Sequence, residues 1–295
     1  MHWGADPALE KHSVPTRSQR ARSVLTFFAQ DTGTHNLVYA NADLAKATQA
    51  REPLAFCDHW KHVTGADPHM LIMDQKVTTQ PVLAELDDRG VKWVTLRMRS
   101  PALIRQINAL APGDFKTVRL NRPGRHNRPR VHESRVRLTG YPGTVRQLVV
   151  TGLGRETPTV IITNDDDLSV KALIEHYARR MTIEERLAEI IRAFHADALS
   201  STVNLNVDLD IMLCVLAQAL LAAFRTRLGP GYATATPDTL QRRFLDSSGT
   251  ITTTSDQITV RIDRRAYSPV LRQASLPPDS TIPWWHGRRL HFEFS

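Results

Sequence analysis

Apolar and polar positions alternate in SVLTFFA (23–29) and NLVYANA (36–42), and the DTGTH between them is rich in turn formers, so these segments predict a β-hairpin. The first 20 or so residues are polar, charged and proline-containing, and they read as loop. Residues 49–63 predict a helix stopped by Gly65. MLIM (70–73) is a short unbroken apolar run of the kind expected for a strand buried on both faces, and it ends abruptly at Asp74. Thr78 or Thr79 can cap a helix running to about Arg89, Gly90 stops it, and VKWVTL (91–96) is the next strand. This β-α-β-α-β series predicts a mainly parallel sheet with helices against it, an α/β fold.

Between 116 and 163 the pattern changes to short alternating segments, KTVRL, RVHESRVRLTG, RQLVVTGL and TVIITN, separated by Pro and Gly. They predict an inserted antiparallel β region. Helical periodicity returns at 168–195 and 206–228, and QITVRID (257–263) and RLHFEF (289–294) alternate like closing strands. The expected organisation is a first core part at 1–115, the insertion at 116–163, two core helices at 164–230 and a C-terminal extension at 231–295.

One position breaks the helical pattern. With IEHYARRMTIEERLAEIIRAF (174–194) wound at about 100° per residue, Ile174, Tyr177, Met181, Leu187, Ala188 and Ile191 form an apolar arc, and Glu184 falls inside it. Arg180 and Tyr177, one and two turns back, project from the same side, whereas Glu185 and Glu189 belong to the polar arc. A carboxylate facing inward must be paired, hydrogen-bonded or bound to metal. Either an Arg180–Glu184 ion pair or a metal site satisfies that demand. Asp74 offers a second carboxylate at the open rim of the sheet, where ligands of α/β proteins bind, and it could equally be a turn or capping residue. Two or three such groups can hold a pair of Mg²⁺ ions for phosphodiester chemistry.

Charge adds a direction. The 295-residue chain carries a net charge of +8 from 38 Lys and Arg against 30 Asp and Glu, which favours a polyanionic partner such as nucleic acid. The excess is concentrated in RLNRPGRHNRPRVHESRVR (119–137), where Arg119, Arg122, Arg125, Arg128, Arg130, Arg135 and Arg137 are opposed only by Glu133. This reads either as a solvated hairpin or as a phosphate-contacting ribbon. Cys57 and Cys214 are the only cysteines and lack CxxC spacing, which excludes a disulfide framework and a thiolate metal site and fits a reducing cytoplasm. The apolar run at 211–224 contains Gln218 and is shorter than a bilayer span, so no membrane segment is expected.

LVYANADL, LAFCDHWKHVTG, LIMDQKVTT, VKWVTLRMRSP, YARRMTIEE and FHADALSS together resemble the DDE transposases of bacterial insertion sequences, of the type named after insertion sequence four. The resemblance covers most of the chain. It implies an RNase H-like core and DNA transposition: metal-dependent cleavage at the element's ends, then strand transfer to target DNA, with Mg²⁺ or Mn²⁺ as cofactor and double-stranded DNA as partner. In that family a tyrosine, an arginine three later and a glutamate four after that form a helical signature, matched here by Tyr177, Arg180 and Glu184; Asp74 corresponds to the second catalytic aspartate. The resemblance therefore makes Asp74, Glu184, Tyr177 and Arg180 catalytic, Asp74 and Glu184 metal-binding, and Arg119, Arg122, Arg125, Arg128 and Arg130 DNA-binding. The signature's final lysine would fall at Ile191, a departure. The family's first aspartate lies on a strand just upstream of the segment matching HWGAD, so that strand and its carboxylate are expected to be missing from this chain, as in a truncated copy. Asp31 and Asp43, near the ends of the two hairpin strands, are the candidates to replace it. A catalytically inactive remnant that only binds DNA and a metal-dependent phosphohydrolase are the alternatives, and a sheet edge left open by the missing strand would pair with another chain, such as a second copy.

Overall fold

The computed structural model describes residues 2–3, 10–14, 19–122, 125–154, 157–198, 204–274 and 280–294. The N-terminal segment expected to be loop contains three strands, β1 (His2–Trp3), β2 (Lys11–Val14) and β3 (Gln19–Val24), paired antiparallel in the order β1-β3-β2. The parts at 4–9 and 15–18 lie outside the described residues. The expected hairpin follows as β4 (Phe27–Gln30) and β5 (Leu37–Asn41), with Phe27 opposite Asn41.

Next comes α1 (Glu52–Thr64), with Pro53 in its first turn, where a missing N–H costs nothing. Gly65 stops it at φ 87°, a left-handed conformation that a side chain would strain. β6 (Met70–Ile72), α2 (Gln80–Asp88) and β7 (Lys92–Leu96) then form the one parallel unit of the main sheet, Met70 lying opposite Lys92 and Ile72 opposite Val94. After α3 (Pro101–Asn108) come β8 (Lys116–Thr117), β9 (Arg130–Val136), β10 (Val145–Thr151) and β11 (Thr159–Thr163).

These four strands are antiparallel, as their alternation predicts, but they do not stand apart. They join the core sheet in the order β6-β7-β11-β10-β9-β8, with β11 paired to β7. The mainly parallel sheet expected from the first elements is therefore a mixed one with helices against it, parallel only between β6 and β7. Each short hairpin connection leaves its strands antiparallel, and three such connections outvote the single helical crossover. The position of β6 is also corrected. It is an edge strand with all three residues half-buried, whereas the middle of β7 is fully buried around Trp93.

α4 (Val170–Arg179) covers the sheet with Leu173 and Ile174 against Val94, Leu148 and Ile161. α5 (Thr182–Phe194) is a separate helix: the chain turns through Arg180 and Met181, and the single helix expected across this region does not form. α6 (Asn204–Leu228) lies against β5 and α5, sharing a core of Leu37, Ala40, Ile190, Val207 and Ile211. The C-terminal part contains α7 (Pro237–Leu240), β12 (Gly249–Thr253), β13 (Gln257–Ile262), α8 (Ser268–Gln273), β14 (Ser280–Ile282) and β15 (Arg288–Phe294). The two expected closing strands are present in it as β13 and β15, paired in parallel in a four-stranded sheet.

Candidate DNA-processing site at the open edge of the sheet

The Met73 N–H still donates to the Val94 carbonyl at 2.9 Å, so the chain leaves the sheet at the next residue, Asp74. There the backbone turns, with Val77 N–H donating to the Asp74 carbonyl at 3.1 Å, and one carboxylate oxygen accepts from Gln75 N–H at 2.7 Å. The other oxygen lies 3.3 Å from Arg180 Nη1. This ion pair joins the strand end to the α4–α5 break across 106 residues of sequence. The Arg180 guanidinium sits 5.3 Å from the centre of the Tyr177 ring, close enough for cation–π attraction, and its buried Nε has no hydrogen-bond partner among the described residues. Asp74, Arg180 and Tyr177 are thus brought together.

Glu184 is not drawn in with them. The break restarts the helical phase, and α5 turns Ile183, Leu187, Ile190 and Phe194 toward β5 and α6, which leaves Glu184 one position round and exposed. Its expected inward orientation does not hold. The inward-facing carboxylate of this helix is the mostly buried Glu189, 11% exposed, which the periodicity placed on the polar arc. It pairs with Arg186 at 2.9 Å and with the buried Arg225 of α6. The sequence did hold a signal for the restart: Thr182 followed three residues later by Glu185 is a helix-start pattern. The Thr182 hydroxyl lies 2.7 Å from the Arg179 carbonyl and 3.0 Å from Gln30 Oε1, fixing the break to the hairpin.

Behind Arg180 lies a cavity of about 480 Å³ between two strand edges, lined by Phe27 to Asp31 on the hairpin side, β6 and the Met73 that follows it, and Asp165, His176, Arg179 and Arg180. Neither β4 nor β6 pairs with a strand on this side among the described residues. Asp31, one of the two replacement candidates, faces the cavity. Its carboxylate accepts from Thr34 N–H at 2.6 Å and from the Thr34 hydroxyl at 2.7 Å, and these bonds hold its pKa below the ordinary carboxylate value. Asp43, the other, is exposed beyond β5, away from the cavity lining.

Sequence reasoning passed over Asp165, which ends β11 much as Asp74 ends β6 and is buried at the cavity wall. Its carboxylate accepts from the N–H groups of Asp167 and Leu168 at 2.8 and 2.9 Å, organising the turn into α4. The signal was the NDDD run directly after the apolar TVIIT. Among the described residues, no three His, Cys, Asp or Glu side chains cluster as a metal site would require.

The arginine ribbon lies at the opposite edge of the sheet. Arg119, Arg125, Arg128 and Arg130 are exposed and Arg122 is half-buried. Arg122 donates to the His126 carbonyl, and Arg130 donates to the Pro112 carbonyl and stacks on Phe115 at 5.7 Å. Arg135 is paired with Asp166 at 2.8 Å. Pro123 and Gly124, at the ribbon's tip, lie outside the described residues. The base of this segment touches the site helix, where Asn121 N–H donates to Glu175 of α4 at 2.7 Å.

Comparison with curated proteins finds no match to this chain. The family described as "Transposase DDE domain" matches residues 5–220. That span holds Asp74, the Tyr177–Arg180–Glu184 signature and the arginine ribbon, and it covers well over half of the chain, which therefore belongs to the transposase DDE domain family.

Proposed function

We propose that this chain is a DNA-end-binding transposase domain of the insertion-sequence-four type, with an RNase H-like core in which Asp74, Tyr177, Arg180 and Glu184 are the residues at the family's signature positions. The observation that carries this reading is the Asp74–Arg180–Tyr177 cluster at the strand end beside the cavity, on the residues that match the family's signature. The family acts on DNA and depends on a divalent metal, Mg²⁺ or Mn²⁺ in this proposal, and its members work with the DNA of the cell, so a cytoplasmic, nucleoid-associated location follows.

The donors among the described residues do not by themselves fit a two-ion centre. One oxygen of Asp74 is given to Arg180 and the other to Gln75, Glu184 stands in solvent, and no third carboxylate joins them. What the chain's own residues do is position and bind. Arg180 fixes the Asp74 carboxylate at the strand end, and the Tyr177 ring backs the guanidinium. Arg119, Arg125 and Arg128 present exposed cations to phosphate, while Arg122 and Arg130 shape the ribbon that carries them. A second reading, a DNA-binding remnant without strand-cleaving activity, is favoured by the same incomplete donor set.

The experiment is cleavage of end-labelled terminal-repeat DNA with Mg²⁺ or Mn²⁺ by the native chain and by its Asp74→Ala and Glu184→Ala variants, alongside a binding assay. Binding without cleavage is the expected outcome, since misplacing a reacting group by about 1 Å can cost about 10²-fold and a missing ligand costs more. Metal-dependent cleavage abolished by both substitutions would show a complete centre and direct attention to Asp31 or Asp165 as its third ligand. Absence of DNA binding at low salt would overturn the proposal as a whole.

A further inference from the structure

The C-terminal sheet has two unlike faces. Paired residues of neighbouring strands share a face, so Ile258 with Leu290 and Val260 with Phe292 make one apolar side, which continues to Phe294 against the core of Leu240, Phe244 and Leu271. The other side carries Thr252, Gln257, Thr259, Thr281, Arg289 and His291, all exposed or half-buried. Glu293, the acid of β15, lies on this side too and is paired with Arg261 at 2.9 Å. At the end where Arg289 lies, β14 and β15 are joined by Pro283, Trp284, Trp285, His286 and Gly287. Trp284 is 78% exposed and Trp285 49%.

This tip is held in one shape. The ring of Pro283 fixes its φ, His286 and Gly287 turn the chain with φ of 59° and 69°, and the Gly287 N–H donates to the Ile282 carbonyl at 3.1 Å, closing the loop. A short polar turn would close the same hairpin, yet two indoles stand in water here. Cations flank them: His286 and Arg289 are exposed, and Arg288 donates through Nε to the Ser255 carbonyl in the β12–β13 turn at 3.4 Å. Asp256 of that turn gives its carbonyl to the Arg289 N–H and its carboxylate to the Thr254 hydroxyl at 2.9 Å. An unpaired nucleobase on its phosphate backbone complements both features, an aromatic face and a regular negative charge. Stacking on aromatic side chains with arginine at the backbone is how single strands are held without sequence preference. In a duplex the base faces already cover one another. Behind the tip, the polar side runs about 13 Å along β15 from Arg289 to Glu293. Its hydroxyls, amide and imidazole can meet base edges, whereas lipid hydrocarbon would leave them unsatisfied.

We infer that the tryptophan tip at 283–287 and the polar face behind it bind single-stranded DNA, with Trp284 and Trp285 stacking on unpaired bases and Arg289 meeting the phosphates. The inference rests on the reading of the chain as a protein that acts on DNA, and it adds a second surface to the arginine ribbon.

A fluorescein-labelled oligothymidylate of about twelve nucleotides should bind the native chain and quench its tryptophan emission. Trp284→Ala combined with Trp285→Ala should weaken that binding about tenfold or more at an unchanged thermal midpoint, and the paired phenylalanine substitutions should keep most of it, since a phenyl ring still stacks. Stacking releases no counterions, so the alanine pair should lower affinity without altering its slope against salt, whereas Arg289→Ala should flatten the slope. An alanine pair that binds like the native chain, or a native chain that shows no quenching, would overturn the inference. The alanine variant of Arg119, Arg125 and Arg128 should lose duplex affinity and keep the quenching; loss of both would overturn a separate site. Quenching by a native chain that binds no duplex would overturn duplex binding by the ribbon and leave this surface standing. Flotation with phosphatidylglycerol vesicles should leave the protein at the bottom of the gradient, and co-flotation lost in the alanine pair would replace the single strand with a lipid surface.

Discussion

The two edges of the six-stranded sheet carry opposite chemistry. At β6 a strand-end carboxylate and an arginine face each other beside a cavity, with the hairpin forming the opposite wall and α5 and α6 packed behind it. At β8 and β9 the edge opens to solvent and bears a ribbon of arginines. Five strand steps of about 4.8 Å separate them, roughly 24 Å, or about seven base pairs at 3.4 Å each. A duplex touching both edges would be gripped at one place and processed at another. Grip and chemistry should therefore fail separately when each edge is altered.

The largest effect is expected where the β6 side is held together. Glu189 is 11% exposed and answers two arginines, one of them, Arg225, 7% exposed. Glu189→Ala strands these charges in a poorly hydrated space, and removing one partner of a buried pair costs about 3–5 kcal/mol. Urea unfolding should show a loss of that size, with Glu189→Gln intermediate. A loss below about 1 kcal/mol would mean that the pair does not hold α5 to α6.

The next effect belongs to the other edge. Replacing Arg119, Arg125 and Arg128 with alanine removes three solvent-facing cations without touching the core, so stability should change by less than about 0.5 kcal/mol. DNA affinity should fall, and the slope of log affinity against log salt should flatten by about 0.9 for each phosphate no longer neutralised, up to about 2.7. Asp74→Ala, at the far edge, should leave that slope unchanged. If it alters the slope as much as the ribbon variant does, the two edges do not act separately.

Asp74→Asn is expected to change stability far less than Glu189→Ala does. The Asp74–Arg180 pair is 47% and 21% exposed at its two side chains, and ion pairs in such surroundings contribute about 0–1 kcal/mol. A larger loss in thermal unfolding would make this pair a structural clamp, and the case for a site at the β6 edge would weaken accordingly.

Much of this was legible in the sequence. The hairpin, α1 with its Gly65 stop, β6 ending at Asp74, α2 and β7 follow from local patterns that tertiary packing leaves in place. The failures share a physical cause. Periodicity reports which residues share a face of one element, but it says nothing of where elements stop or which neighbour they choose. The arc through Tyr177, Arg180 and Glu184 assumed one continuous helix, and a two-residue break turned Glu184 outward and left Glu189 inside. MLIM has the composition of a central strand, yet it lies at an edge because, among the described residues, no strand pairs with its other side. Most leucines of α6 have the composition of a core, yet the helix buries Val207, Ile211, Cys214 and Val215 together with Gln218 and Arg225 and leaves Leu205, Leu209, Leu213, Leu216 and Leu220 exposed.

The smallest expected effect sharpens the β6 side at the tip of its hairpin. Asp31 is ionised more readily in the folded protein than in the unfolded chain, since the backbone N–H and the hydroxyl of Thr34 both donate to its carboxylate, bonds that the charged form accepts best. Its folded pKa lies below 3.8, so between that lower value and 3.8 the unfolded state binds more protons and stability rises with pH. The contribution is complete above about pH 4 and is lost as pH falls through the folded pKa. Asp31→Asn removes the charge. It should therefore destabilise the protein by under about 1 kcal/mol at pH 6, with the gap to the native chain narrowing below the ordinary carboxylate pKa. Unfolding midpoints of the two proteins measured from pH 3 to pH 7 test this, and a gap that stays constant throughout, or widens toward acid, would mean that the turn does not depend on the ionised carboxylate.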